Sequence, residues 1–244
     1  MKKAQRVVLV TGASGGIGSE IARTFLSKGW NGIFHYCSSN KNLESLKKLS
    51  LKYGVKAIFL KADFAKKREL SGFIDKIKHL RVDSLINNAG SYVASKYFSD
   101  LNISDIEKTF FINAFAPILI SSAVFKQMET RHFGRIVNIS SIAAKYGGSV
   151  YSLHYGCSKL ALEGITKTLS REGAKCGILI NTIRPGVINT GFHEKFPKDM
   201  KKRKAIIPLK RLGEPKDVAK LVYFLASEEN EYITNEDIAV SGGE

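Results

Sequence analysis

Tyr155 and Lys159 stand four residues apart in a stretch that reads as helix, so both side chains share one face. An ammonium beside a phenol stabilises the phenolate. The expectation is a phenol pKa below its ordinary value of about 10, in a group that exchanges a proton near neutral pH. Taken alone the pair is weak, because Tyr-x-x-x-Lys is also frequent on solvated helix faces.

A second chemical feature is Thr11-Gly12-Ala13-Ser14-Gly15-Gly16-Ile17-Gly18, which follows an apolar strand-like run and opens a helical stretch. Glycines there permit a tight turn and let backbone N–H groups approach a pyrophosphate, and a helix N-terminus adds partial positive charge. The strand-turn-helix context is what gives such a pattern its value. At the end of the next strand comes Tyr36-Cys37-Ser38-Ser39-Asn40-Lys41, with no acid before Glu44. A site for NAD places Asp or Glu there to hold the ribose hydroxyls. Hydroxyls and a lysine without a carboxylate suit a 2′-phosphate, so the cofactor expected is NADP(H).

Short β-rich runs alternate with helical stretches along the whole chain. Strands are expected at Val7–Val10, Gly32–Tyr36, Lys56–Lys61, Ser84–Asn87, Arg135–Ile139, Ile178–Ile183 and Asp237–Val240. Helices are expected at Gly18–Lys28, Leu43–Tyr53, Leu70–His79, Gly156–Ala174 and Pro215–Ala226. Another should run from near Ser104 to about Pro117, followed by one through Met128. The alternation implies an α/β fold with helices on both faces of a parallel sheet, the Rossmann-like doubly wound arrangement. No repeat or linker divides it, so residues 1–244 are read as a single dinucleotide-binding catalytic domain.

Composition bounds the function. The net charge is +16, but no zinc-finger, RNA-binding aromatic or basic-zipper pattern accompanies the lysines, so nucleic acid is not the expected partner. No run of 18 or more apolar residues occurs and the N-terminus carries no secretory pattern, so the expectation is a cytoplasmic protein that does not engage a membrane. Three cysteines, Cys37, Cys157 and Cys176, with no Cys-x-x-Cys pair, give no reason to expect a disulfide framework or a metal site.

The glycine turn, Asn87-Asn88-Ala89-Gly90, Ser140-Ser141, Tyr155-Gly-Cys-Ser-Lys159 and Pro185-Gly186 occur in this order, and together they resemble the short-chain dehydrogenase/reductase family over essentially the whole chain. Gly134–Ser141, Asn181–Thr190 and Ile207–Ala226 look most like its 3-oxoacyl-[acyl-carrier-protein] reductase branch, which acts in fatty-acid synthesis. The resemblance implies a catalytic tetrad of Asn113, Ser141, Tyr155 and Lys159, with Ser140 as a neighbour that could be confused with Ser141. It implies that Ser141 and Tyr155 hold the substrate carbonyl oxygen and that Tyr155 delivers the proton. Lys159 would bind the cofactor ribose, and Asn113 would help hold a water through which the proton is replaced. Cofactor contacts are expected from Gly12, Ser14, Gly15, Gly16, Ile17, Gly18, Ser38, Ser39, Asp63, Phe64, Asn88, Ala89, Gly90, Tyr155, Lys159, Pro185, Gly186, Val187, Ile188 and Thr190. Asp63 would contact the adenine and Thr190 the nicotinamide carboxamide.

The chain departs from the family pattern in three places. Gly15 stands where NADP(H)-preferring members often carry Arg, and the loop from Ser141 to Tyr155 is longer and bulkier. Near the C-terminus, Asn and Ser stand where Gly and Asp are usual, in a part that often builds the homo-oligomer, a tetramer or dimer.

Residues 190–212 read as a substrate lid, and within it Phe192–Arg211 is rich in lysine and arginine. Lys195, Lys198, Lys201, Lys202, Arg203, Lys204, Lys210 and Arg211 could face an acidic acyl carrier protein, with Arg131, His132 and Lys175 beside elements that border the site mouth in the family. An ordinary solvated loop has the same composition. Besides 3-oxoacyl-[acyl-carrier-protein] reduction, the same site could serve a small-molecule carbonyl such as a sugar, a polyketide intermediate or a xenobiotic ketone. A non-catalytic NADP(H)-binding regulator would need neither Ser141 nor Tyr155.

Overall fold

The computed structural model describes residues 5–93, 95–192 and 200–244. Seven strands form one parallel sheet: β1 (Val7–Val10), β2 (Asn31–Tyr36), β3 (Ala57–Lys61), β4 (Ser84–Asn87), β5 (Gly134–Ile139), β6 (Ile178–Pro185) and β7 (Asp237–Val240). Their order is β3-β2-β1-β4-β5-β6-β7. The order reverses between β1 and β4, so the C-terminal ends of those two strands open a crevice, the place where such sheets bind ligands.

The strands alternate in the direction their side chains take. Val8 and Val10, Ile86, Val137 and Ile139 enter one core, beneath α1 (Gly16–Ser27), α2 (Leu43–Lys52) and α9 (Pro215–Ala226). Leu9, Leu85 and Ile136 enter the other, beneath α3 (Lys67–Lys78) and α5 (Ala116–Glu129). The period of two turns neighbours along a strand to opposite faces, which is why each run could serve two helical layers.

The expected break near Pro117 is absent. Helix α4 (Ile103–Phe110) passes through a π-helical turn (Phe111–Phe115) directly into α5, with Pro117 in the first turn of α5, where its missing N–H costs little. The run Ile103–Glu129 is long and apolar enough to cross a bilayer by composition, but Ile120, Val124 and Met128 are buried in the core against the sheet. Three short elements were not expected: a one-turn helix at Phe98–Asp100, α6 (Ile142–Tyr146) and α8 (Met200–Ile206). Helix α7 (Leu153–Lys175) begins earlier than the pattern implied and so includes Tyr155 in its first turn. Part of the expected lid, residues 193–199, lies outside the described residues, and with it Lys195 and Lys198.

Candidate active site

The glycine turn joins β1 to α1 at the crevice. Gly12 takes a left-handed φ of +67°, and a Cβ there would come within 3.0 Å of the Ala89 backbone. Gly18 has no room either: a Cβ would lie 2.2 Å from the Gly12 carbonyl oxygen. Helix α1 starts on Gly15 with no side-chain cap and no acid in its first turn. Its leading N–H groups and the positive end of its dipole therefore face the crevice, an arrangement that fits a phosphate. Thr190 reaches the same turn, because a Cβ on Gly16 would meet its methyl group at 2.5 Å.

Several polar groups hold this turn. Asn88 donates its amide to the carbonyls of Thr11 and Gly12 (2.9 and 3.2 Å), and Thr11 Oγ1 accepts from the N–H groups of Asn88 and Ala89. Two holders escaped sequence reasoning. Asn42 donates to the Ser14 carbonyl at 2.8 Å and is itself held by Arg23 at 3.2 Å. His35, buried on β2, accepts from the Gly12 N–H at 3.1 Å, lies 2.9 Å from the Ala62 carbonyl and stacks on Phe64 with centroids 3.9 Å apart. The two bonds require the tautomer in which Nδ1 accepts and Nε2 donates. Neither residue belongs to a motif, so no pattern could have flagged them. The side chain of Phe64 is thereby used in the core, and Ile17, Val187 and Ile188 also turn their side chains into packing.

Burial lowers the His35 pKa to about 4, outweighing the upward pulls of the Ala62 carbonyl and Asp63. The unfolded chain takes up a proton below about pH 6.5, whereas the folded chain resists until about pH 4. Stability from this group is therefore complete above pH 6.5 and is lost as pH falls toward 4. The loss is about 3 kcal/mol between pH 7.5 and pH 4. Urea unfolding of the chain and of His35→Asn at both pH values checks this. The variant should lose less by that amount, and equal losses would remove His35 as the titrating group.

Ser38 and Ser39 are exposed just beyond β2, and Asp63, after β3, lies near the Cys37 thiol. These residues therefore meet at one end of the crevice. Gly90 lies at the other. A Cβ there would be 3.1 Å from Lys159 Nζ and 3.5 Å from Asn113 Oδ1. Asn113 is fully buried in the π-helical turn; it accepts from the Ser91 N–H at 2.8 Å and donates to the Ser91 carbonyl and to Ser158 Oγ. Its side chain thus pins the loop after β4 beside Lys159.

The two serines separate cleanly. Ser140 turns inward and donates to Glu163 at 2.7 Å, and Glu163 is gripped by Arg184 at 2.8 and 2.6 Å. Ser141 caps α6, accepting from the Ala143 N–H at 3.1 Å, and its hydroxyl faces that of Tyr155. Lys159 is buried beneath, donating to the Ile139 carbonyl at 2.8 Å with Nζ 5.9 Å from the Tyr155 ring centroid.

Electrostatics here differ from the sequence expectation. The Tyr155 phenol is pushed up to about 12, not down, because its hydroxyl is enclosed by protein and the bond from Ser141 only partly opposes that. Burial pushes Lys159 down to about 8, with Glu163 pulling the other way. Desolvation outweighs the attraction of two groups this far apart. A second correction concerns Arg131, His132 and Lys175. They precede β5 and β6, so within one chain they sit at the N-terminal end of the strands, opposite the end that carries Ser141. Arg131 is folded onto the Val82 carbonyl at 2.6 Å.

Comparison with known proteins agrees with this geometry. A sequence model described as short chain dehydrogenase matches residues 6–201. The 3-oxoacyl-[acyl-carrier-protein] reductase of Aquifex aeolicus is 34% identical over 241 residues, covering 98% of this chain and 96% of the relative. That of Rickettsia felis is 38% identical over 238 residues, covering 96% and 95%. Among solved structures, an NADPH-dependent reductase involved in bacilysin biosynthesis superposes with a TM-score of 0.89 at 30% identity, covering 98% of both chains. A metagenomic blue fluorescent protein in complex with NADPH gives 0.88 at 33% identity, covering 98% of this chain and 97% of that one. With the ordered motifs, the parallel sheet and the Ser141–Tyr155–Lys159 cluster in place, this chain belongs to the short-chain dehydrogenase family.

Proposed function

We propose that this chain is an NADP(H)-dependent reductase that converts a carbonyl to an alcohol, with a 3-oxoacyl group on an acyl carrier protein as the leading substrate. The observation that carries the reading is the meeting of the Ser141 and Tyr155 hydroxyls above buried Lys159, at the crevice that holds the glycine turn. Gly12, residues 14 to 18, Ser38, Ser39, Asp63, residues 88 to 90, residues 185 to 188 and Thr190 would hold the cofactor, which when bound supplies the hydride. Ser141 and Tyr155 donate to the substrate carbonyl oxygen, and Tyr155 releases its proton to that oxygen as negative charge develops there. A phenol held near 12 stays protonated through neutral pH and so remains a donor for reduction. Lys159 places its ammonium beneath that charge.

NADPH should bind at least about tenfold more tightly than NADH, and Ser38→Asp should remove that preference by repelling the 2′-phosphate. The motivating feature is the exposed, acid-free stretch after β2. Fluorescence titration of both nucleotides measures it; tighter NADH binding by the unmodified chain would refute the cofactor assignment.

The carrier-protein reading is supported by the curated relatives and by Lys201, Lys202 and Lys204, exposed on α8. Complementary charge speeds encounter with an acidic carrier. Raising salt from 0.05 to 0.5 M should lower kcat/KM for an acyl-carrier-protein substrate about tenfold and leave an N-acetylcysteamine thioester nearly unaffected. Equal salt dependence for the two would make the segment a solvated loop. The reading also includes a dimer or tetramer, for which Phe115, Ile118, Leu119 and Leu160 offer an exposed apolar face; sedimentation of the purified chain tests it.

A further inference from the structure

Aromatic rings flank the ring of Tyr155 and lead on from it. Tyr92 stands edge-on to Tyr155, with centroids 5.6 Å apart and planes at 74°, and its hydroxyl donates to the Tyr151 carbonyl. That bond joins the loop after β4 to the long loop before α7. Tyr151 in turn meets Tyr97 edge-on at 5.7 Å, and Tyr97 packs on Phe98 at 4.8 Å. Phe192 closes the other side, 6.2 Å from Tyr155. Four of these rings keep large exposed surfaces: Tyr97 43%, Phe98 49%, Tyr151 51% and Phe192 38%. Lys96, the charged residue between Tyr92 and Phe98, is turned onto Asp105 at 2.6 Å, so it contributes no cation to the wall.

A run of half-exposed rings linked through Tyr92 to Tyr155 is more than a greasy wall. Rings prefer partners that are also rings, held edge-on or offset with centroids about 4.5–7 Å apart, beyond what apolar area alone supplies. Tyr92 meets Tyr155, and Tyr97 meets both Tyr151 and Phe98, at such distances already. They come from three separate segments of the chain, which is why no motif signalled them.

We propose that the preferred substrate carries an aromatic or planar conjugated group on its carbonyl carbon, seated among Tyr97, Phe98, Tyr151 and Phe192. The inference rests on the carbonyl-reductase reading and names the substrate class within it. A 3-oxoacyl thioester whose distal group is a ring satisfies both.

The test compares two N-acetylcysteamine thioesters with equal numbers of acyl carbons, benzoylacetyl and 3-oxononanoyl, as substrates for reduction by NADPH. The expected result is a kcat/KM about tenfold higher for the aryl substrate. Tyr97→Leu and Tyr151→Leu keep apolar bulk but remove a ring, and neither residue holds the carbonyl or the cofactor. Each should lower kcat/KM for the aryl substrate about fivefold and change that for the linear one less than twofold, with the melting temperature held. Reduction of both thioesters at equal efficiency, or equal losses in the Leu variants, would overturn the aromatic preference and leave the reductase reading standing. Leu variants that alter the sedimentation profile instead would assign the rings to contact between copies. Reduction of neither thioester by a chain that binds NADPH would count against the carbonyl-reductase reading itself.

Discussion

Replacing Tyr155 with Phe should lower kcat by about 10³-fold while NADPH binds within about threefold of the unmodified chain. The phenol hydroxyl is the group that faces Ser141, and it is the proton donor in the proposed reaction. The ring packs edge-on to Tyr92 and beside Phe192, and a Phe ring keeps both contacts. Loss of turnover should therefore come without loss of the fold. Single-turnover kinetics separates the chemical step from binding, and a Phe variant with near-normal turnover would remove Tyr155 from the mechanism.

Glu163→Ala should destabilise the fold by about 3 kcal/mol and lower activity as well. Glu163 is a buried carboxylate gripped by Arg184 through two nitrogens and bonded by Ser140, the neighbour of Ser141. Arg184 also reaches Asp237 at 3.1 Å, and Asp237 pairs with Lys167, so the network ties α7, β6 and β7 together. Removing the carboxylate leaves a largely buried guanidinium with only Asp237, and it leaves the Ser140 hydroxyl with only the long, 3.4 Å bond to the Lys159 carbonyl. A broken buried pair is costly because the remaining charge stays desolvated. Urea unfolding at neutral pH measures the first effect and kcat the second. A change in stability under about 1 kcal/mol would show that Asp237 suffices to hold Arg184.

Much of the scaffold was legible because its signals are local. Strands such as Val7–Val10 and Ser84–Asn87 are short β-rich runs between breakers, and the glycine turn advertises itself by composition. The π-helical turn at Asn113 was hidden, since a single wide turn leaves the apolar pattern of the long helix nearly intact. Helix α6 is five residues long and is started by the Ser141 cap, which reads equally well as a loop. Helix α8 lies in a lysine-rich segment that has no periodic apolar face to detect.

Within the site, residue types were readable and environments were not. Which of Ser140 and Ser141 faces the crevice depends on Glu163, more than twenty residues farther along the chain. The upward pKa of Tyr155 comes from enclosure by segments distant in sequence, whereas the pair with Lys159 suggested the opposite direction. His35 looked like one more strand residue until the Gly12 N–H was found against its ring nitrogen.

The most direct measurement follows the hydrogen. The purified chain is supplied with NADPH carrying deuterium at the transferable position of the nicotinamide, together with a panel of 3-oxoacyl thioesters, sugars and ketones. The account predicts that at least one carbonyl compound becomes an alcohol with one deuterium on the former carbonyl carbon, one for each NADPH oxidised, and that the Tyr155→Phe chain yields about 10³-fold less of it in the same time. NADPH binding without oxidation across the panel, or an alcohol product formed without the label, would contradict it.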